Sequence, residues 1–358
     1  MKIVFLPHSN NPVYAGVRLR CLLPVAALRK AGYQCHIGEK AEYLQSADVL
    51  VVQAKWLLDS KSSAEFEGKL QQLRAAKQHG TRLFLDSFDN YFLNSSGNPS
   101  RAERLQAYRA NLTLFDCFVV SSPGLVPYLR EEVGPIAAIK VVGDPLEGPG
   151  ANKFYEPVWI RWSPRRWLGY FQCRRLLTRL RRQRKTERQL LWFGNHGSAY
   201  AEGGMAELAT ILPLLEESSL NQALRLTVIS NSVEKFNEIT KDCRFPCEYF
   251  EWDRLSFSVI LREYDLVLLP ARINSFTTGK SNNRLLLPLS MGVPVMASGL
   301  PDYLPWREYC SIDEWNYFFE ILKDLEPLRK RAKCKAGELR ERFSVEAIGL
   351  EWAAALRP

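Results

Sequence analysis

Three stretches follow one another closely: Asp265-Leu266-Val267-Leu268-Leu269-Pro270, then Ser275-Phe276-Thr277-Thr278-Gly279-Lys280-Ser281-Asn282-Asn283-Arg284, then Leu285-Leu286-Leu287-Pro288-Leu289-Ser290-Met291-Gly292-Val293-Pro294-Val295-Met296-Ala297-Ser298. The order is a short apolar run, a polar glycine-containing loop, a helical pattern and a second apolar run at Pro294–Ser298, which is a βαβ unit. Ser281 or Asn282 is placed to cap the helix. Free N–H groups and the positive end of the helix dipole make such a start an anion site. Lys280 and Arg284, four residues apart and hence near one face, add full charges. The same pattern also fits a capped helix carrying two solvated cations.

Outward from this unit the rhythm repeats. Gln189–Gly194, Leu226–Ser230, Cys247–Phe250 and Leu266–Pro270 precede Pro294–Ser298 as short runs suited to buried parallel strands. An earlier series contains Ile3–Leu6, Val49–Gln53, Leu83–Asp86, Phe118–Ser121 and Ile139–Val142, with helical patterns at 22–30, 64–79 and 101–114. Gly143-Asp144-Pro145 and a Gly/Pro-rich stretch through Gly150 interrupt the two series. The prediction is an α/β chain of two Rossmann-like βαβ domains facing across a cleft, with strand C-terminal ends toward it. Its parts are a first Rossmann-like domain at 1–145, a basic aromatic linker at 146–188, a second Rossmann-like domain at 189–340 and a C-terminal helix at 341–358 that packs across the domains.

At 358 residues the chain is long enough for two cores, and 46% hydrophobic with 24% charged residues is a soluble composition. Eight scattered cysteines suit buried, reduced thiols, and the close pair Cys243 and Cys247 has no partners to complete a zinc site. The run after Met1 is too short for a signal peptide and no stretch has the roughly 20 apolar residues of a spanning helix. A cytoplasmic location is the expectation. The net charge of +9 has one source: ten basic and no acidic residues lie between Arg161 and Lys185, leaving a nearly neutral remainder. That distribution argues against a general nucleic-acid binder.

The Asp265–Ser298 segment resembles the donor-binding domain of GT-B glycosyltransferases, most of all a bacterial subgroup near family 4. Ala15-Gly16-Val17-Arg18-Leu19-Arg20, Leu85–Phe92 and Trp192-Phe193-Gly194-Asn195-His196-Gly197 extend the resemblance over most of the chain, apart from about 150–188. Family 4 carries two glutamates seven residues apart around this helix; Gly279 and Leu287 stand at those positions here. The resemblance implies transfer of a sugar from a nucleoside-diphosphate sugar to a hydroxyl of a bacterial glycan or glycolipid, in surface polysaccharide biosynthesis. A sugar-nucleotide epimerase or hydrolase, or a non-catalytic sugar-nucleotide binder, shares the fold.

Diphosphate-binding candidates are Gly16, Asn195, His196, Gly197, Lys280, Ser281, Asn282, Asn283 and Arg284. Trp252, after a strand, is a candidate for stacking on the nucleobase or a core residue. Asp86, ending a strand, and Asp89, on the loop beyond, are the catalytic candidates, either deprotonating or orienting an acceptor hydroxyl. An Asx-turn or helix cap is the structural alternative for either. His8, Arg18 and Arg20 are cleft or acceptor candidates. No Asp-x-Asp ends a strand, so no metal or other cofactor is expected; lysine, arginine and helix dipoles would meet the diphosphate charge.

In the linker, Trp162, Arg165, Arg166, Trp167, Tyr170, Phe171, Arg174 and Arg175 form the pattern of an interfacial amphipathic helix. It would bring the enzyme to an anionic membrane surface on the inner face of the cell, where a lipid-linked acceptor resides. Packing on the protein body with solvated arginines is the other reading. No nucleic-acid partner is expected.

Overall fold

The runs of leucine and β-branched residues form two parallel sheets, whose strand orders fix where the chain leaves room for ligands. The computed structural model describes residues 1–154, 164–198, 200–253 and 256–357. They divide into one unit of residues 1–145, 278–281 and 342–358 and a second of 146–277 and 282–341.

The first unit holds β1 (Lys2–Leu6), β2 (Gln34–Ile37), β3 (Val49–Gln53), β4 (Arg82–Ser87), β5 (Cys117–Val120) and β6 (Ile139–Val141). Their spatial order is β2-β1-β3-β4-β5-β6, and every neighbouring pair is parallel. All of Val49–Gln53 is buried, as covering a strand by helices on both faces requires. The order reverses between β1 and β3, so the loops after those strands diverge and open a crevice at their carboxyl ends.

The second unit holds β7 (Arg188–Phe193), β8 (Leu224–Ser230), β9 (Cys247–Glu251), β10 (Leu266–Leu269), β11 (Val295–Ala297) and β12 (Ser311–Ile312). Their order is β12-β11-β10-β7-β8-β9, again all parallel, with the reversal between β7 and β10. Leu190, Trp192, Leu226, Leu268 and Met296 of these strands pack with Leu208, Leu215 and Phe236 into one core. The predicted pair of Rossmann-like α/β halves is therefore present. Two strands escaped the sequence reading. Gln34-Cys35-His36-Ile37 is a partly exposed edge strand without an apolar run, and Ser311-Ile312 is too short to show a pattern.

Helix boundaries follow local chemistry. Ser62 Oγ accepts the Glu65 N–H at 3.1 Å and starts the helix Ser63–Gln78; Ser344 does the same for Ala347, also at 3.1 Å, and starts Val345–Ala355. This last helix packs in the first unit against the helix Leu23–Lys30. The approach is close: a Cβ on Gly349 would lie 2.3 Å from that of Ala27. One turn further, Trp352 sits edge-on to Phe5 at 5.5 Å.

Arg20 joins these parts. It lies in a single π-helical stretch, Arg18–Leu22, and its side chain is 1% exposed. Its Nη2 and Nε donate to Asp86 Oδ1 at 2.6 and 3.1 Å, and its Nη1 donates to the carbonyl of Val142 at 2.5 Å and that of Gly143 at 3.1 Å. Asp144 Oδ1 lies 3.3 Å from Nη1, and the guanidinium stacks 4.9 Å from the Trp352 ring. Burial opposes the charge on Arg20, but Asp86 and Asp144 outweigh it and hold the guanidinium protonated.

Two substitutions test this packing by thermal or denaturant unfolding. Arg20→Met leaves the Asp86 carboxylate buried without its counter-ion and lowers stability by roughly 3–5 kcal/mol. Gly349→Ala forces the last helix off Ala27 and costs about 1–3 kcal/mol.

Candidate ligand sites at the two switch points

At the first unit's switch point, the strand ends of β1 and β3 are tied together by side chains. Gln53 Oε1 accepts the His8 backbone N–H at 3.1 Å and faces His8 Nδ1 at 2.8 Å, while Gln53 Nε2 donates to the Gly16 carbonyl at 2.9 Å. The bond to Gly16 fixes the amide's orientation, so Oε1 is the acceptor and His8 Nδ1 must carry the proton. Nε2 is then the atom with the lone pair, and it is buried without a hydrogen-bond partner. The imidazole lies between Tyr14 and Phe88, at 5.4 and 6.2 Å. Burial lowers its pKa below the ordinary value, with the Gln53 hydrogen bond opposing.

The other candidates of this unit divide by environment. Gly16 has its α-carbon under the Phe88 ring, so its open face is filled by protein. Arg18 is 3% exposed and donates from Nη1 to the carbonyls of Pro12 and Val13, both at 2.7 Å, pinning the loop after β1. Asp86 is fully buried and engaged by Arg20; burial presses its carboxyl pKa upward and the guanidinium opposes that shift. Asp89 receives a hydrogen bond from Lys280 Nζ.

Residues Thr278–Ser281 group with this unit and are held to it by side-chain hydrogen bonds. Besides Lys280 with Asp89, Ser122 Oγ donates to the Gly279 carbonyl at 2.9 Å. Tyr128 and Thr278 share a hydroxyl–hydroxyl bond of 2.6 Å, and Ser281 Oγ donates to Asp144 Oδ2 at 2.7 Å. A Cβ on Gly279 would stand 2.6 Å from Leu125 Cδ2. The packing against Leu125 is thus a physical reason for glycine where the family 4 pattern has glutamate.

In the second unit, the switch point is spanned by Arg284. The helix Asn283–Ser290 follows β10, with Asn282 at its N-cap making no cap hydrogen bond through its own side chain. Lys280 therefore precedes the helix, and the four-residue spacing does not place it on one helical face with Arg284. Arg284 Nη2 donates to the carbonyl of Phe193, at the end of β7. Its guanidinium packs on Gly194 and stacks over Trp192 and Phe193, at 5.1 and 5.5 Å. Its Nε is buried with no partner, and among the described residues no carboxylate lies within ion-pairing distance of the group. Burial lowers the guanidinium pKa, with Tyr303 and Glu207 countering.

The loop after β7 is shaped by its own polar groups. Asn195 Oδ1 accepts the Gly197 N–H at 2.9 Å, and Asn231 Oδ1 accepts the His196 N–H at 3.0 Å and faces His196 Nδ1 at the same distance. Gly203-Gly204 closes the loop, with the Met205 N–H donating to the His196 carbonyl at 3.2 Å. Trp252 is half-buried beyond the edge strand β9, its N–H donating to Ser230 at 2.7 Å. Sequence reasoning passed over Gln53, Asn231 and Gly203-Gly204, although a glutamine ending an otherwise apolar strand was a visible signal. Among the described residues no cluster of three or more His, Cys, Asp or Glu could hold a metal ion.

The helix Pro164–Gln183 belongs to the second unit. Trp162 lies outside the described residues, as do the side chains of Arg165 and Arg166. Trp167, Tyr170, Phe171, Arg174 and Arg175 are exposed. Among the described residues no helix is long and apolar enough to cross a membrane.

Solved structures match this architecture end to end. Anabaena HepE in complex with UDP and glucose is 12% identical, with a TM-score of 0.65 and 99% of each chain covered. A glycosyltransferase from Rickettsia africae is 12% identical at a TM-score of 0.64, covering 99% of this chain and 97% of that one. The trehalose-6-phosphate synthase OtsA is 11% identical at a TM-score of 0.63, with 99% of each chain covered. No protein-family profile matches the chain, and no curated protein matches its sequence. The fold is that of the GT-B proteins, two Rossmann-like α/β units on one chain.

The His8 geometry predicts ring nitrogen NMR signals of a protonated Nδ1 and a bare Nε2 near neutral pH, with titration below the ordinary 6.5. The unfolded chain takes up that proton first, so this residue's share of stability is present above pH 6.5 and is lost as pH falls below it. Unfolding measured against pH in His8→Gln should lack that share.

Proposed function

We propose that the chain transfers a sugar from a nucleoside-diphosphate sugar to a hydroxyl of a glycan or lipid-linked acceptor. The observation that carries this reading is Arg284: a guanidinium at a switch point and helix start whose buried Nε has no partner and which, among the described residues, has no carboxylate within ion-pairing distance. Leaving such a group unpaired is unfavourable, and a diphosphate offers the acceptor oxygens and charge it lacks. Structures of the same fold support the choice of ligand, since the Anabaena protein is described with UDP and glucose.

In this reading Arg284, Asn282, Asn283 and the loop Asn195-His196-Gly197 bind the donor phosphates, and Trp252 takes the nucleobase. Charge that develops on the departing diphosphate is stabilised by preorganised donors, with no proton needed. On the acceptor side His8 is the better base. Its Nε2 has a lone pair and stays neutral, whereas both Asp86 oxygens are turned to Arg20 and Asp89 is paired with Lys280. Gln53, Arg20 and Asp86 are positioning residues.

Calorimetric titration with UDP and other nucleoside diphosphates tests the donor half. Arg284→Leu should weaken binding roughly 10- to 100-fold; unchanged affinity in that variant removes the phosphate assignment. For the acceptor half, release of nucleoside diphosphate from a panel of sugar nucleotides and glycan acceptors is followed. His8→Gln should slow turnover by about 100-fold or more while leaving nucleotide affinity within roughly twofold of wild type.

A further inference from the structure

The helix Pro164–Gln183 has two unlike halves. At and just past its C-terminus three arginines are bound to the body of the second unit, Arg179 to Glu248 at 2.9 Å, Arg181 to Glu263 at 2.7 Å and Arg184 to Asp265 at 2.7 Å, while Arg182 is exposed. Leu180 is fully buried between them. Toward the N-terminus the pattern inverts. Trp167, Tyr170 and Phe171 are 50%, 51% and 55% exposed and touch one another, with ring centroids 5.8–6.5 Å apart. Arg174 lies 5.9 Å from the Tyr170 ring, and among the described residues neither it nor Arg175 is ion-paired.

We propose that this N-terminal half is a docking surface for an anionic lipid bilayer. Single exposed apolar side chains are ordinary, but three adjoining aromatic rings at one helical end form a patch that water solvates poorly. Tryptophan and tyrosine combine an apolar body with a polar handle, which suits the headgroup layer. The charge is complementary: no acidic residue occurs between Arg161 and Lys185, and among the described residues Arg174 and Arg175 beside the rings pair with no carboxylate. Trp167, Tyr170 and Phe171 enter the interface while Arg174 and Arg175 meet lipid phosphates. The paired C-terminal half couples the surface rigidly to the second unit. This inference stands independently of the transferase proposal, because its test reads vesicle binding rather than turnover.

The full chain is sedimented with vesicles of phosphatidylcholine containing roughly one third phosphatidylglycerol, and with phosphatidylcholine alone, at about 0.1 M salt. Binding to the anionic vesicles only, weakened by added salt, is expected. Each cation held at such a surface strengthens binding about fivefold, so Arg174→Ala with Arg175→Ala should weaken it roughly 25-fold. The triple variant Trp167→Ser, Tyr170→Ser, Phe171→Ser should lose at least about tenfold. These side chains are exposed, so both variants should keep the wild-type unfolding midpoint. No binding, equal binding to both vesicle types, or wild-type binding by both variants overturns the proposal. So does tighter binding of an RNA oligomer that is lost in the arginine variant.

Discussion

A buried guanidinium must have acceptors for its N–H groups, and in the first unit that requirement organises everything near the strand ends. Arg20 takes Asp86 from the end of β4, two carbonyls and a carboxylate from the segment after β6, and the face of Trp352 from the last helix. These partners lie up to 332 positions away in sequence from Arg20. None can be withdrawn without exposing a charge to a medium that cannot solvate it. The ion pair contributes less as net attraction than as a constraint on where Asp86, Asp144 and the C-terminal helix can be.

Asp144 extends that constraint. One of its oxygens faces Arg20 and the other accepts from Ser281, so a polar chain runs from the core to the loop Thr278–Ser281. Lys280 and Gly279 in the same loop are bound to Asp89 and Ser122. Polar networks of this kind hold geometry because every member loses several bonds at once if one moves. The close packing of Gly279 on Leu125 belongs to the same design, since a side chain at 279 would push the loop off its partners.

Much of this architecture was legible in the sequence because it rests on local patterns. A fully buried parallel strand must be apolar on both faces, so Val49–Gln53 and Leu266–Leu269 announce themselves. Edge strands have no such obligation, and Gln34–Ile37, with glutamine, cysteine and histidine, does not read as one. Gly194–Gly197 was visible as a loop because it follows the apolar run of β7 directly. Lys280–Arg284 is separated from β10 by residues 270–279 and showed itself as the end of a polar, glycine-containing stretch ahead of a helical pattern. The difference in surroundings between His8 and Asp86 was not visible. Both end strands, and only the three-dimensional partners decide which is consumed by a counter-ion and which keeps a lone pair. The partner that decides for His8 is Gln53, 45 residues away; the one that decides for Asp86 is Arg20, 66 residues away.

The same distinction sorts the arginines. Arg20, Arg179, Arg181 and Arg184 each have a carboxylate, and their charge is accounted for within the fold. Arg284, Arg174 and Arg175 are without one among the described residues, but the physical weight of that fact differs with burial. An exposed guanidinium is solvated by water and needs nothing further, so Arg174 and Arg175 point to a partner only because three exposed aromatic rings adjoin them. Arg284 is partly buried against Trp192, Phe193 and Gly194, and its Nε is out of reach of solvent with no acceptor among the described residues. A charge kept in that state at a strand-order reversal carries an electrostatic cost, and in the proposed reading an arriving diphosphate relieves it.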